Sequence, residues 1–136
     1  MENFAIEEFG KLLVEKVRDV VIQSCDRELG RNAQSVVAKR WREVMRHATP
    51  ESFAKEIIPD IVDDTICGLL VAIDQELLHL SFTASTGETV DLVSVGRKYG
   101  ELCGSYGPGT SSGWVAQHSK ERFAHDLYDI DDMFSQ

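Results

Sequence analysis

The chain has 136 residues, 43% of them apolar and 27% charged, with only three prolines and three cysteines. A chain of this size and balance buries a sufficient core without disulfide or metal support, and its composition is not that of a disordered protein. The formal net charge of −9 repels nucleic acid and anionic lipid at long range and favours basic partners.

Apolar residues recur at helical spacing over 4–29. Ile6, Phe9, Leu13, Val17, Val20, Val21 and Cys25 form one face, with Leu12 and Val14 widening it. Gly30 and Asn32 end this helix. A second helix is expected over 35–48, with Ser35 as its N-cap, an apolar face of Val37, Trp41, Val44, Met45 and Ala48, and Lys39, Arg42 and Arg46 together on another face with Arg40 close by. Thr49-Pro50-Glu51 restarts the helix, and Pro59 is expected to stop or kink it, because proline removes a donor and disfavours helix at the preceding residue. A fourth helix then runs from Pro59 to Glu76, with a seam of Ile58, Val62, Ile66, Leu69, Leu70, Ile73 and Leu77 that marks it as the central core helix.

The period changes to alternation at residue 78. Leu78, Leu80, Phe82 and Ala84 face one way, Thr86-Gly87 supplies a turn, and 88–93 alternates again, which predicts an antiparallel β-hairpin near 78–93 packed by its apolar face on the helices. Ser94 is the expected cap of a short helix over 95–103. Five glycines fall between Gly100 and Gly113, within a loop without apolar periodicity, and Ser119 caps a short C-terminal helix. The whole reads as one mostly helical α+β domain over 1–136: helices over 4–76, the hairpin, and a loop with a helix over 94–136. No repeat or composition shift marks a second domain.

The three cysteines, Cys25, Cys67 and Cys103, are odd in number and far apart, with no C-x-x-C pair, so they read as small core residues rather than as a disulfide framework or zinc site. The opening MENFAIEEFG carries acids where a secretory signal needs a basic stretch, and no apolar run has the length of a membrane span. A reduced cytoplasm is the expected compartment, with no membrane partner.

Four constellations bear on chemistry. Asp60, Asp63 and Asp64 lie at i, i+3 and i+4, on one side of a helix, where carboxylates hold Mg²⁺ or merely complement the helix N-terminus. The histidines His47, His79, His118 and His125 show no ligand or catalytic spacing. The glycine-rich loop lacks the lysine and Ser/Thr ending of a phosphate loop, and its aromatics Tyr106 and Trp114 stand out instead. Finally, Asp126, Asp129, Asp131 and Asp132 interleave with Leu127, Tyr128, Ile130, Met133 and Phe134, a mixture suited to docking or to pinning a last helix on the core.

Charge is uneven along the chain. Residues 1–55 carry ten Lys/Arg against nine Asp/Glu, whereas 56–136 carry four against fourteen. With no convincing catalytic set and no cofactor motif, the leading expectation is a non-catalytic protein-binding or inhibitor-like module. It would engage a basic partner through Tyr106, Trp114, Asp126, Tyr128, Asp129, Asp131 and Asp132. The alternatives are a metal-assisted phosphoryl or nucleotide hydrolase built on Asp60, Asp63 and Asp64, and a self-associating regulatory subunit in which the basic helix meets the acidic half of a neighbouring copy, giving a homo-oligomer.

Overall fold

The computed structural model describes residues 4–121. Their order is α1 (Phe4–Leu13), a π-helical turn (Val14–Arg18), α2 (Asp19–Glu28), α3 (Val36–His47), α4 (Pro50–Asp74), β1 (Ser81–Thr83), β2 (Thr89–Asp91), α5 (Leu92–Tyr99), α6 (Leu102–Tyr106) and α7 (Trp114–His118). The fold is mostly helical α+β, with one two-stranded antiparallel sheet among the described residues. None of the described helices is long and apolar enough to cross a membrane. The contacts divide the chain into two compact units. The first takes the chain up to Val21 together with Thr65–Tyr106, and the second takes Ile22–Asp64 and the chain from Gly107.

The first unit holds the apolar core. Val17, Ala72, Ile73, Leu78, Val93 and Leu102 are buried together, with Phe9, Leu12, Leu69, Leu70, Leu80, Leu92 and Val95 packed around them. The first helix reaches this core through an irregularity that the sequence does not announce. The Asp19 N–H bonds Val14 O, five residues back, so one extra residue is wound into the turn. Core contacts therefore fall at Phe9, Leu12, Val17 and Val21, in steps of three, five and four. Of the expected stripe, Phe9, Val17 and Val21 lie on the buried side, whereas Ile6, Leu13 and Val20 are exposed. Gly68 on α4 lets this helix approach, because a Cβ there would lie 2.6 Å from Val21 Cγ2.

Helix α4 is one element where two were expected. Thr49 caps it, its Oγ1 accepting from Ser52 N at 3.1 Å, and Pro50 takes the first position. Pro59 lies inside it without ending it. Proline costs the helix one hydrogen bond, and the next residue, Asp60, is gripped from α3 by two side chains, which holds the backbone in place across the defect. The expected apolar seam is buried only at its far end. Leu69, Leu70 and Ile73 pack in the core, while Ile58, Val62, Ile66 and Leu77 are exposed. The helix ends at Asp74 rather than Glu76. Glu76 adopts φ 62°, and the amides of Leu77 and Leu78 both return to Ala72 O, a left-handed stop of the kind that closes helices.

The hairpin pairs Ser81 with Asp91, Phe82 with Val90 and Thr83 with Thr89. Gly87, at φ 92°, makes the turn. Its strands are shorter than the alternation suggests, because Leu78 and Leu80 belong to the core below them. Phe82 was expected to pack on the helices, yet it stands clear of the core and is 59% exposed. Asp91, not Ser94, caps α5: its Oδ1 accepts from Val93 N at 3.0 Å, while Ser94 donates to Oδ2. Gly100, at φ 102°, stops α5, so the helix expected over 95–103 is two elements. Part of the expected glycine-rich loop is itself helical, as α6 and α7.

Asp74 organises the junction between these pieces. Its carboxylate accepts from Leu102 N at 3.0 Å and Cys103 N at 3.4 Å, capping α6 from another helix. Gly96 gives it room, since a Cβ there would lie 2.8 Å from Asp74 Oδ1. Cys67 is two helical turns before Asp74, on the same side of α4, and forms a disulfide with Cys103. The expectation of three separate core thiols is thus wrong for two of them. Separation along the chain carried no information, because the cap on Asp74 brings Cys103 back to α4. A bond closing 36 residues contributes about 3–4 kcal/mol by restricting the unfolded chain.

Replacing Gly68 with alanine tests the helix contact. Val21 is branched and buried, so it has little room to yield. Urea denaturation is expected to register a loss of about 1–3 kcal/mol, and an unchanged midpoint would refute the close approach.

Candidate functional site

The second unit is built around polar groups. Its buried residues with apolar side chains are Ala38 and Trp41, and beside them lie Arg40, 1% exposed, and Asp60, 8% exposed. Helix α3 is started by Ser35, whose Oγ accepts from Ala38 N at 3.0 Å, as expected. Ser35 also donates to Glu28 from across the connecting turn. This start orients Arg40 and Trp41 toward α4. Both donate to Asp60 Oδ2, Trp41 Nε1 at 2.7 Å and Arg40 Nη2 in a buried ion pair. Arg40 Nε and Nη1 are also buried and meet no acceptor within hydrogen-bonding reach.

One turn later on α4, Asp64 accepts from the Cys25 thiol at 3.9 Å. Its carboxyl is pushed up to about 6, first by burial and then by the negative charges of Asp60, Glu28 and Asp63, with the thiol opposing the rise. The Cys25 thiol is raised in turn, by burial first and next by the Asp64 charge. The cluster therefore holds one carboxylate fixed by an arginine and one carboxyl that takes up a proton near neutrality.

The sequence expectations meet this geometry unevenly. Asp60, Asp63 and Asp64 are on one helix, but at mid-helix, so they do not complement its N-terminal dipole. Asp60 is committed to Arg40 and Trp41. Among the described residues no group of three or more His, Cys, Asp or Glu side chains is disposed to hold a metal ion. Tyr106 is half-buried at the end of α6, and Trp114 is 43% exposed at the start of α7. Asp126, Tyr128, Asp129, Asp131 and Asp132 lie outside the described residues. His47 pairs with Glu43 on the surface, and His79 and His118 are exposed. The expected basic face of α3 is partly used internally: Arg42 donates to Gly30 O and Arg46 pairs with Glu43.

Arg40 is the residue that sequence reasoning missed. A signal for it exists: it lies three residues after Val37 and four before Val44, within the apolar face that those residues draw. Asp60 likewise continues a line through Phe53, Ile57 and Asp64 once α4 is read through Pro59. No family model, curated protein sequence or solved structure matches this chain.

Two measurements test the cluster. Asp60→Ala strands Arg40 as a buried unpaired charge, and denaturation is expected to show a loss of about 3–5 kcal/mol. Asp60→Asn, which still accepts from Trp41, is expected to lose less. A cost below that of an ordinary surface change would mean that the pair does not hold α3 on α4. Because Asp64 is raised from the ordinary 3.8 to about 6, the folded state binds its proton more tightly than the unfolded state does. That stabilisation is fully present below pH 3.8 and is lost as pH rises through about 6. Asp64→Asn is thus expected to stabilise the protein above pH 6 by about 1 kcal/mol, after allowing for the partial exposure of the carboxyl, and to change little at pH 4. Equal effects at both pH values would remove the raised carboxyl from the account.

Proposed function

We propose that the chain is a non-catalytic protein-binding module that engages a basic protein partner in the cytoplasm. The observation that carries this reading is the inverted surface of the second unit. Leu29, Val36, Met45, Ile58, Val62 and Trp114 are exposed, whereas among the described residues of that unit the buried apolar side chains are Ala38 and Trp41. Single exposed apolar side chains are ordinary, but a unit that exposes this many large ones while burying an ion pair is disposed to cover them with another protein.

Charge selects the partner. The excess of acids after residue 55 favours a basic surface and speeds its approach, with affinity supplied by apolar anchors such as Trp114. A hydrolase reading finds less support, since Asp60 is occupied by Arg40 and Trp41. Association with a second copy draws on the same exposed side chains, although Arg42 and Arg46 already have internal partners.

Affinity purification at low and high salt, followed by mass spectrometry, tests the reading. The expected result is a stoichiometric basic protein that is lost as salt rises, and whose retention falls about tenfold or more with Trp114→Ala, the size of effect an interface anchor produces. A protein that comes through alone, and sediments as a monomer at every salt, refutes it. A salt-sensitive dimer without other proteins would assign the surface to a second copy.

A further inference from the structure

The geometry points to a reversible thiol–disulfide latch, Cys67–Cys103, that fastens α6 to α4. The inference concerns the first unit and does not depend on the binding reading. The two Cα atoms are 5.0 Å apart although 36 residues separate them in sequence, within the span a disulfide bridges without backbone movement. Both residues are half-buried, so a small thiol reaches them without global unfolding.

The element that the bond holds is weak by itself. Helix α6 has five residues, Leu102–Tyr106, of which Leu102 is buried. A helix this short does not persist in water without tertiary support. It is also fastened by the carboxylate of Asp74, which accepts from the amides of Leu102 and Cys103. Opening the disulfide leaves α6 held by non-covalent contacts, the Asp74 cap and the buried Leu102 side chain in the core among them. In a reducing compartment a disulfide of this kind forms transiently and reports redox state.

Closure balances with a small disulfide such as oxidised glutathione. One cysteine thiolate attacks it, forming a mixed disulfide and releasing one glutathione thiol. The second cysteine thiolate then attacks the protein sulfur of the mixed disulfide, the Cys67–Cys103 bond forms, and the second glutathione leaves. Two electrons pass from the cysteine pair to glutathione, and the two thiol protons end on the released glutathione molecules. Cys25 is the internal control. It is in the second unit, its thiol bonds to Asp64, and burial and nearby acids suppress its thiolate.

The full chain, equilibrated across glutathione redox buffers, is alkylated for mass analysis and followed by amide hydrogen exchange. Cys67 and Cys103 are expected to close together at the oxidising end and to open fully at the reducing end, with Cys25 alkylated throughout. Exchange at Leu102–Tyr106 is expected to rise about tenfold or more on reduction, the scale of a local opening, while Val36–His47 keeps its protection. Cys25→Ser should leave the transition in place, and Cys103→Ser should make exchange insensitive to reductant. The inference is overturned if the pair stays open at every poise or stays closed at the most reducing one. It also fails if Cys25 is the residue oxidised, or if reduction loosens the whole first unit evenly, which would make the bond a structural staple. The wild-type comparison reads the result even where a variant does not fold.

Discussion

Asp60 accepts from both Arg40 and Trp41, and the association of α3 with α4 rests on that one carboxylate. Elsewhere in small proteins two helices are joined by interdigitated apolar side chains, and loss of one contact is shared among many. Here the buried positions are taken by a charge, its counter-charge and an indole. A buried ion pair contributes modest stability, because desolvation consumes much of the attraction, but it is intolerant of a missing partner. Direction is what the arrangement supplies. Arg40 and Trp41 are adjacent in sequence and meet the same oxygen, so α3 is fixed in rotation as well as in distance, with Val36 and Met45 left exposed.

The first unit solves the same problem with apolar burial and close backbone approach. Gly68 and Gly96 are there because α4 meets Val21 at one point and presents Asp74 to α5 at another. Asp74 does for α6 what Asp60 does for α3, with backbone amides in place of charged side chains. Both acids sit on α4, fourteen residues apart and so close to one side of the helix. In each unit α4 is the helix that supplies the decisive acceptor.

The sequence made the element types legible wherever a local rule decides them. Ser35 and Thr49 cap helices because hydroxyls satisfy first-turn amides, and Gly87 turns the hairpin because the turn demands a left-handed residue. It misled where a long-range contact outvoted the local rule. Pro59 signals a break that Asp60 cancels, and Ser94 signals a cap that Asp91 takes first. The site was half-visible. Asp60 and Asp64 were singled out by their spacing, while Arg40 was placed only as a neighbour of the basic face, although it is buried beside Asp60. The disulfide was invisible, since nothing local records that residues 67 and 103 will meet.

The π-turn at Val14–Arg18 has a consequence for how the chain tolerates change in length. It is a phase shifter: the helix before it and the helix after it are set on the core by separate registers, and one surplus residue reconciles them. Losing that residue would turn the steps of three, five and four into three, four and four, so a regular helix would keep Phe9 and Leu12 on the core. Closing the turn with every residue retained would instead bring Leu13 toward it in their place. The first helix thus carries two apolar stripes, and the π-turn selects the one through Phe9 and Leu12. A one-residue deletion within these five positions is therefore compatible with the core, while a one-residue insertion there adds a second surplus residue that the register must absorb.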